Sequence, residues 1–188
     1  MAEYKEIRGT KIRNYTTNPD NPITGEVWYN ETDNVLKFQY GATNLTGSWS
    51  SGGNVNTART NAGAAGTKSA ALFFGGNTSP VSALTESYNG TSWTEVNDLG
   101  TARYGIGGSG KLYTAALAFG GTGNSVKTEL WGGTNWTEVN DLNTGRQQIK
   151  AGGTSTSTLA FSGWSPFFAV TESWNGTNWT EVNDLNEA

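Results

Sequence analysis

A chain of 188 residues and 20.0 kDa is long enough for one ordinary domain, or for a short array of repeats sharing a core, and too short for a two-domain enzyme. The sequence has no Cys and no His, which removes disulfides, thiolate and imidazole metal sites, Cys nucleophiles and any Ser-His-Asp arrangement. Its formal charge of -4 leaves no basic field to gather phosphates, so nucleic acid is set aside as a partner.

Gly, Ser, Thr and Asn make up 88 of the 188 residues, a composition of turns and short strands, not helices. Eight Trp residues argue for an ordered fold, because burying such rings offsets chain entropy. Residues 1–23 carry Lys5, Arg8, Lys11 and Arg13, with Pro19 and Pro22 interrupting regular structure. They read either as a solvated terminal linker or as an arm that docks onto a larger particle by adding a strand or threading between subunits. The segment lacks the apolar core of a secretory signal, and no run of 18 apolar residues follows anywhere. The expectation is a soluble chain made in a cytoplasm, with no membrane insertion.

Residues 24–56 hold two strand-like runs, Gly25 to Tyr29 and Val35 to Tyr40, around the polar turn Asn30 to Asn34. Beyond them the chain repeats. WTEVNDL occurs at 93–99, 136–142 and 179–185, a period of 43 residues, and other landmarks keep step. These are Arg59, Arg103 and Arg146, then Glu86, Glu129 and Glu172, then the aromatics Tyr88, Trp131 and Trp174. Trp49 lies 44 residues before Trp93, so 24–56 reads as a divergent first copy ahead of 57–99, 100–142 and 143–188.

Each copy divides into four short segments. In the first they are the Gly/Ala-rich stretch 57–66, the apolar run 69–74, the alternating run 84–88 and Trp93 to Val96. Asn89-Gly90, Gly132-Gly133 and Asn175-Gly176 fall between the last two, and they predict a hairpin with a two-residue type I′ turn. Four strands per 40 to 50 residues describes one blade of a β-propeller. Burying one Trp of ~200 Å² at ~25 cal/mol per Å² yields about 5 kcal/mol before entropy. Trp93, Trp136, Trp179, Tyr88, Trp131 and Trp174 are therefore the expected structural core of the repeat, stabilised by blades stacking on one another.

The chemistry-bearing residues follow the same period. Nine of the sixteen carboxylates recur with the repeat: Glu86, Glu95 and Asp98, Glu129, Glu138 and Asp141, and Glu172, Glu181 and Asp184. Acid–base catalysis needs two carboxylates in unlike environments, and repeat-related copies see like ones. Turn formation and hydrogen bonding at blade edges are the expected roles, and for the three Arg, ion pairs to Glu or bonds to loop carbonyls. Ca²⁺ coordination by the acids stays a weak suggestion, without calcium-loop spacing. The run Gly105 to Gly110 lacks the Lys-Ser/Thr pair of a phosphate loop and reads as strand and turn. One connector breaks the period: where the first two copies have Asn77 to Ala83 and Thr122 to Lys127, the third has Trp164-Ser165-Pro166-Phe167-Phe168. Such an aromatic cluster marks either a contact site or local packing over the blade edge, and Tyr104 and Tyr113 are weaker candidates.

The diglycines Gly75-Gly76 and Gly120-Gly121, each followed by an aromatic and then a Trp, resemble the kelch repeat over residues 57–188, with Ser162-Gly163 departing from it. WTEVNDL and TESWNGTNWTEV are similar to kelch-like repeats of virion structural proteins of marine tailed bacteriophages. GEVWYNETDNVLKFQYG resembles a motif near the start of phage fibre and appendage proteins. The resemblance implies an all-β fold: a small kelch-like β-propeller or propeller arc, three clear blades plus a divergent amino-terminal one, carried on an extended arm.

It implies a virion protein, in a decoration, fibre or tail position and assembled in the host cytoplasm. Such a protein would bind other virion proteins and further copies of itself, and through its loops host surface glycans. Trp164, Phe167, Phe168, Lys5, Arg8, Lys11 and Arg13 are the candidate contact residues. No reaction, cofactor or metal is expected. A carbohydrate-binding propeller acting outside a virion is the alternative. A kelch-type enzyme is set aside, because copper ligation by His and Tyr-Cys is impossible and no unrepeated Tyr, acid and Arg cluster is apparent.

Overall fold

The structure, a computed structural model, describes residues 13–19, 27–38, 50–164 and 167–186. Among them the protein is all-β, without a helix, and it divides into two compact units, residues 1–50 and 51–188. Lys5, Arg8, Lys11, Trp49 and the side chain of Arg13 lie outside the described residues.

The first unit holds strands β1 (Arg13–Tyr15), β2 (Val27–Asn30) and β3 (Val35–Phe38) in one sheet of that order. The hairpin β2–β3 is antiparallel, with Asn30 Oδ1 accepting the Asp33 N–H at 2.9 Å to set the turn and Asn34 in a left-handed conformation at φ 56°. β1 runs parallel to β2, and the Glu31 N–H donates to the Tyr15 carbonyl at 2.8 Å. This differs from the boundary read in the sequence. The carboxyl-terminal part of the expected arm belongs to the same sheet as the 27–38 hairpin, and a parallel edge strand is not the meander of the repeats. Parallel pairing joins segments distant in sequence through backbone bonds alone, so no turn motif announces it.

The second unit is three sheets of one design. The first contains β4 (Gly63–Thr67), β5 (Ala70–Phe74), β6 (Thr85–Tyr88) and β7 (Trp93–Val96). The second contains β8 (Gly107–Leu112), β9 (Ala115–Phe119), β10 (Thr128–Trp131) and β11 (Trp136–Val139). The third contains β12 (Lys150–Thr154), β13 (Ser157–Phe161), β14 (Thr171–Trp174) and β15 (Trp179–Val182). Each is an antiparallel meander in sequence order, and the last two strands place an aromatic opposite a Trp in every copy: Tyr88 on Trp93, Trp131 on Trp136, Trp174 on Trp179.

The hairpins form where Asn-Gly predicts them, but with a longer turn. Four residues, 89–92, connect β6 to β7, and the Asn89 N–H bonds the Ser92 carbonyl at 3.3 Å. Only Gly90 (φ 94°), Gly133 (φ 92°) and Gly176 (φ 96°) have positive φ there; Asn89 lacks it, and its Oδ1 accepts the N–H groups of Thr91 and Ser92. Gly132 makes the same turn in the second copy without a side chain, so the four-residue backbone closure is common to all three and the Asn side-chain bonds add to it in the first and third.

The sheets meet through their first strands, β4 beside β8 and β8 beside β12. Small residues make that approach possible: a Cβ on Gly108 would lie 2.6 Å from the Ala64 carbonyl oxygen. Two apolar clusters fill the seams. Leu72, Phe74 and Leu99 of the first sheet pack with Ile106, Ala116, Ala118 and Trp131 of the second, and Leu117, Phe119 and Leu142 pack in the same way with Ile149, Ala160 and Trp174 of the third.

Candidate functional site

Each seam is closed by one indole. Trp136 stands edge-on to Phe74 at 4.9 Å, and its Nε1–H donates to Thr85 Oγ1 at 3.0 Å; both partners belong to the preceding sheet. Trp179 repeats the contact on Phe119 (4.9 Å) and Thr128 Oγ1 (3.0 Å). Beside each Trp the preceding sheet's Asn reaches across: Asn97 Nδ2 donates to Asn135 Oδ1 at 2.6 Å, and Asn140 Nδ2 to Asn178 Oδ1 at 2.7 Å. Among the described residues no sheet of this design precedes that of Trp93, whose Nε1–H donates to the Gly53 carbonyl at 3.1 Å. The stretch 53–56 replaces the outgoing end of a preceding strand, since the Asn56 N–H bonds Glu86 Oε2 as the Gly100 N–H bonds Glu129 and the Asn143 N–H bonds Glu172.

The repeated Arg and Glu form three clamps. Arg59 pairs with Glu86 at 2.5 Å, Arg103 with Glu129 at 2.6 Å and Arg146 with Glu172 at 2.5 Å, all six side chains being buried. Each guanidinium also donates to carbonyls at the sheet end, as Arg103 does to Gly120 and Lys127, both at 2.8 Å. The ion pairs tie the first strand's approach segment to the third strand, and the added hydrogen bonds satisfy charges that burial would otherwise penalise. Burial resists ionisation of Glu86, but the N–H groups of Asn56 and Thr57 and the Arg59 guanidinium outweigh it and hold its pKa below the ordinary carboxylate value of 4.5. On the surface, Lys127 bonds Glu138 at 2.7 Å, which raises the Lys pKa and lowers that of Glu138.

Asp98, Asp141 and Asp184 each accept the N–H of the third strand's first residue, Thr85, Thr128 or Thr171, at 2.9 Å. Six of the nine repeat-locked acids, Glu86, Glu129, Glu172 and the three Asp, therefore serve the sheets. Among the described residues no three acids converge as a metal site.

Where the third copy departs from the diglycine, Ser162 adopts φ 63°, close to Gly75 (64°) and Gly120 (69°), so the backbone turn survives the substitution. Its carbonyl accepts Arg146 Nε at 3.0 Å, whereas Nε of Arg59 and of Arg103 is buried without a partner.

Among the described residues two exposed features stand apart from the clamps and seams. A shallow depression of about 360 Å³ opens between the first strands, lined by Ala64 to Thr67, Gly108 to Gly110 and Ala151 to Gly153. No titratable side chain lines it, so it offers backbone groups and small side chains and no reagent for acid–base chemistry. The second is the connector of the third sheet. Trp164 is 43 % exposed and Phe167 67 %, and their rings meet edge to face at 4.6 Å; Phe168 is half-buried, its N–H bonding the Gly163 carbonyl at 3.3 Å. The Trp164 backbone is anchored to the Gln147 carbonyl at 2.7 Å, so the pair stands on a bonded base. Trp164 and Phe167 are thus brought together as a surface ledge. Tyr113 is also exposed, beside Leu112 at the opposite end of the strands, and Tyr104 is half-buried.

Sequence reasoning found every clamp residue and every seam Trp but missed Thr85 and Thr128 as their acceptors. The signal was present, because those Thr recur with the repeat immediately before Glu86 and Glu129, yet their indole partners lie 51 residues away. No family model matches this chain, and no curated protein matches it.

Proposed function

We propose that the chain is a structural, binding component of a tailed-phage virion whose second unit is a kelch-like propeller arc, each four-stranded sheet being one blade. The observation that carries the arc is the seam itself: the same Trp, on the same Phe and Thr of the sheet before, twice in succession. Neighbour-to-neighbour stacking of this kind supports a repeat architecture in which no single blade buries both of its faces. The phage setting rests on the wording of the repeats and on the amino-terminal motif, not on the site geometry.

Binding, and not turnover, is the reading the site chemistry favours. The buried acids are committed to arginines and backbone N–H groups, while the free surface is aromatic and small. Mass spectrometry and sedimentation of purified particles test this: the chain is expected to travel with intact virions, and recovery only in the soluble lysate would count against it. The arc is tested separately, by a nuclear Overhauser contact from the Trp136 indole N–H to Thr85.

A second reading, a carbohydrate-binding propeller outside a virion, draws on one observation, the exposed Trp164–Phe167 pair, because aromatic faces stack on sugar rings. A glycan array probed with the isolated protein and with Phe167→Ser separates the two. Glycan binding lost in the variant favours the lectin reading, and loss of particle association with an unchanged glycan profile favours the virion.

A further inference from the structure

Equivalent positions in the three sheets are not equally covered. Leu72 and Leu117 are fully buried, each beneath the following sheet, but Leu159 at the same place in the third is 42 % exposed. Leu99 and Leu142 are 4 % exposed, against 41 % for Leu185. Phe74 and Phe119 are buried under Trp136 and Trp179, whereas Phe161 is half-buried. Thr85 and Thr128 each accept an indole N–H; among the described residues no indole reaches Thr171, whose hydroxyl bonds the Ala169 carbonyl at 3.4 Å. The outer face of the third sheet therefore carries the full receiving side of a seam that has already formed twice.

The opposite end of the arc carries a donating side. Trp93 occupies the position of Trp136 and Trp179, with Tyr88 behind it at 4.9 Å and Ala71 in the place of Ala116. Three residues differ there: Tyr88 replaces Trp131 and Trp174, Ala62 replaces Ile106 and Ile149, and Phe73 replaces Ala118 and Ala160, which leaves the Tyr88 hydroxyl as the one polar group these exchanges introduce. Ala71 is half-buried where Ala116 is fully buried.

We propose that the outer face of the third sheet is the seat for the first sheet of a second copy of this chain, and that two copies close head to tail into one ring of six sheets. The proposal rests on the propeller reading above. It continues an interface the molecule already builds: the stretch 53–56, which holds the place of a preceding strand's outgoing end, would give way, with Trp93 of one copy exchanging the Gly53 carbonyl for Thr171 of the other and covering Leu159, Phe161 and Leu185. A head-to-tail contact joins two different surfaces and forms a closed assembly only if the rotation completes a circle. Six sheets fall within the range of about four to eight found in closed propellers. Following Asn97 on Asn135 and Asn140 on Asn178, Asn183 of one copy is placed beside Ser92 of the other.

The test uses the full chain, which contains no cysteine. Sedimentation equilibrium is expected to give twice the 20.0 kDa monomer mass. Leu159→Glu and Leu185→Glu, both at exposed positions, should each return the mass to one chain with an unchanged circular dichroism spectrum. Asn183→Cys mixed with Ser92→Cys should give a disulfide-linked pair on mild oxidation, and neither variant alone should. A wild-type monomer at every concentration would overturn the proposal and leave the face to another segment of the same chain. Cross-linking of Asn183→Cys to itself would overturn it in favour of a back-to-back pair, and open polymers would overturn ring closure. In each of these cases the Trp136 to Thr85 contact, if retained, leaves the blade reading standing.

Discussion

The middle and third sheets share their sequence landmarks almost residue for residue, yet one is enclosed and the other is half bare. Leu117 and Leu159 sit at the same register of the same strand, and only Leu117 has a sheet on top of it. Burial here is a property of the neighbour and not of the residue. A repeat specifies two complementary faces, and how much each contributes depends on what stands beside it. The difference gives paired experiments in which the same substitution, one repeat apart, should have unequal effects.

The largest effect is expected at the clamps. Glu129→Ala leaves the Arg103 guanidinium buried without its counter-charge, and breaking a buried pair this way costs about 3–5 kcal/mol. Glu138→Ala, on the exposed outer strand of the same sheet, should leave the chemical denaturation midpoint where it was. Equal losses would mean that Glu129 is not enclosed as described.

Leu117→Ala should follow, at about 2–5 kcal/mol for a cavity in a filled seam, whereas Leu159→Ala should cost well under half of that in the isolated monomer. The comparison sharpens when the protein is studied at high concentration. If a second copy covers the third sheet, the Leu159 penalty should grow with concentration while that of Leu117 stays constant.

Thr128→Val and Thr171→Val make the same contrast through one hydrogen bond. The shape is kept, but Thr128→Val leaves the Trp179 Nε1–H buried without an acceptor, at a cost of about 1–3 kcal/mol. In the isolated monomer Thr171→Val removes no indole contact and should be close to neutral in urea unfolding.

Much of this fold is legible in sequence because its signals are local or periodic. Asn89-Gly90 marks a hairpin through backbone preference alone, and the 43-residue spacing of WTEVNDL marks three like modules. The turn length is not legible, since Asn-Gly marks the left-handed Gly but not the closing bond from residue 89 to residue 92, which sets a four-residue turn in every copy. The parallel strand Arg13–Tyr15 was not legible at all, because its partner is recognised only by backbone groups 15 residues away. At the candidate site, the Trp and Arg residues announced themselves by type and period. The Thr acceptors did not, because a hydroxyl before a Glu has many ordinary uses and only the packing of one sheet on the next selects this one. Uneven coverage of the three outer faces is invisible in a repeat by construction.

The smallest expected effect concerns pH, and it contrasts the buried pair of the first sheet with the surface pair of the second. Glu86 has a pKa below 4.5 in the folded protein, because the bonds to its carboxylate outweigh the burial that resists its ionisation. A carboxyl group depressed by folding adds stability that is complete above its unfolded pKa and disappears as pH falls through the lower folded value. Glu138 is depressed as well, through Lys127, and acts in the same direction. Salt separates them: at about 1 M the screening length is near 3 Å, which weakens an exposed pair and spares an enclosed one. Melting temperatures between pH 5 and pH 3 should therefore fall less steeply in Glu86→Gln than in the wild type, at low and high salt alike. In Glu138→Gln the slope should differ from the wild type only at low salt. An acid limb in Glu86→Gln as steep as that of the unaltered protein would show that the Arg59 clamp does not hold its carboxylate ionised in the way the first sheet's geometry requires.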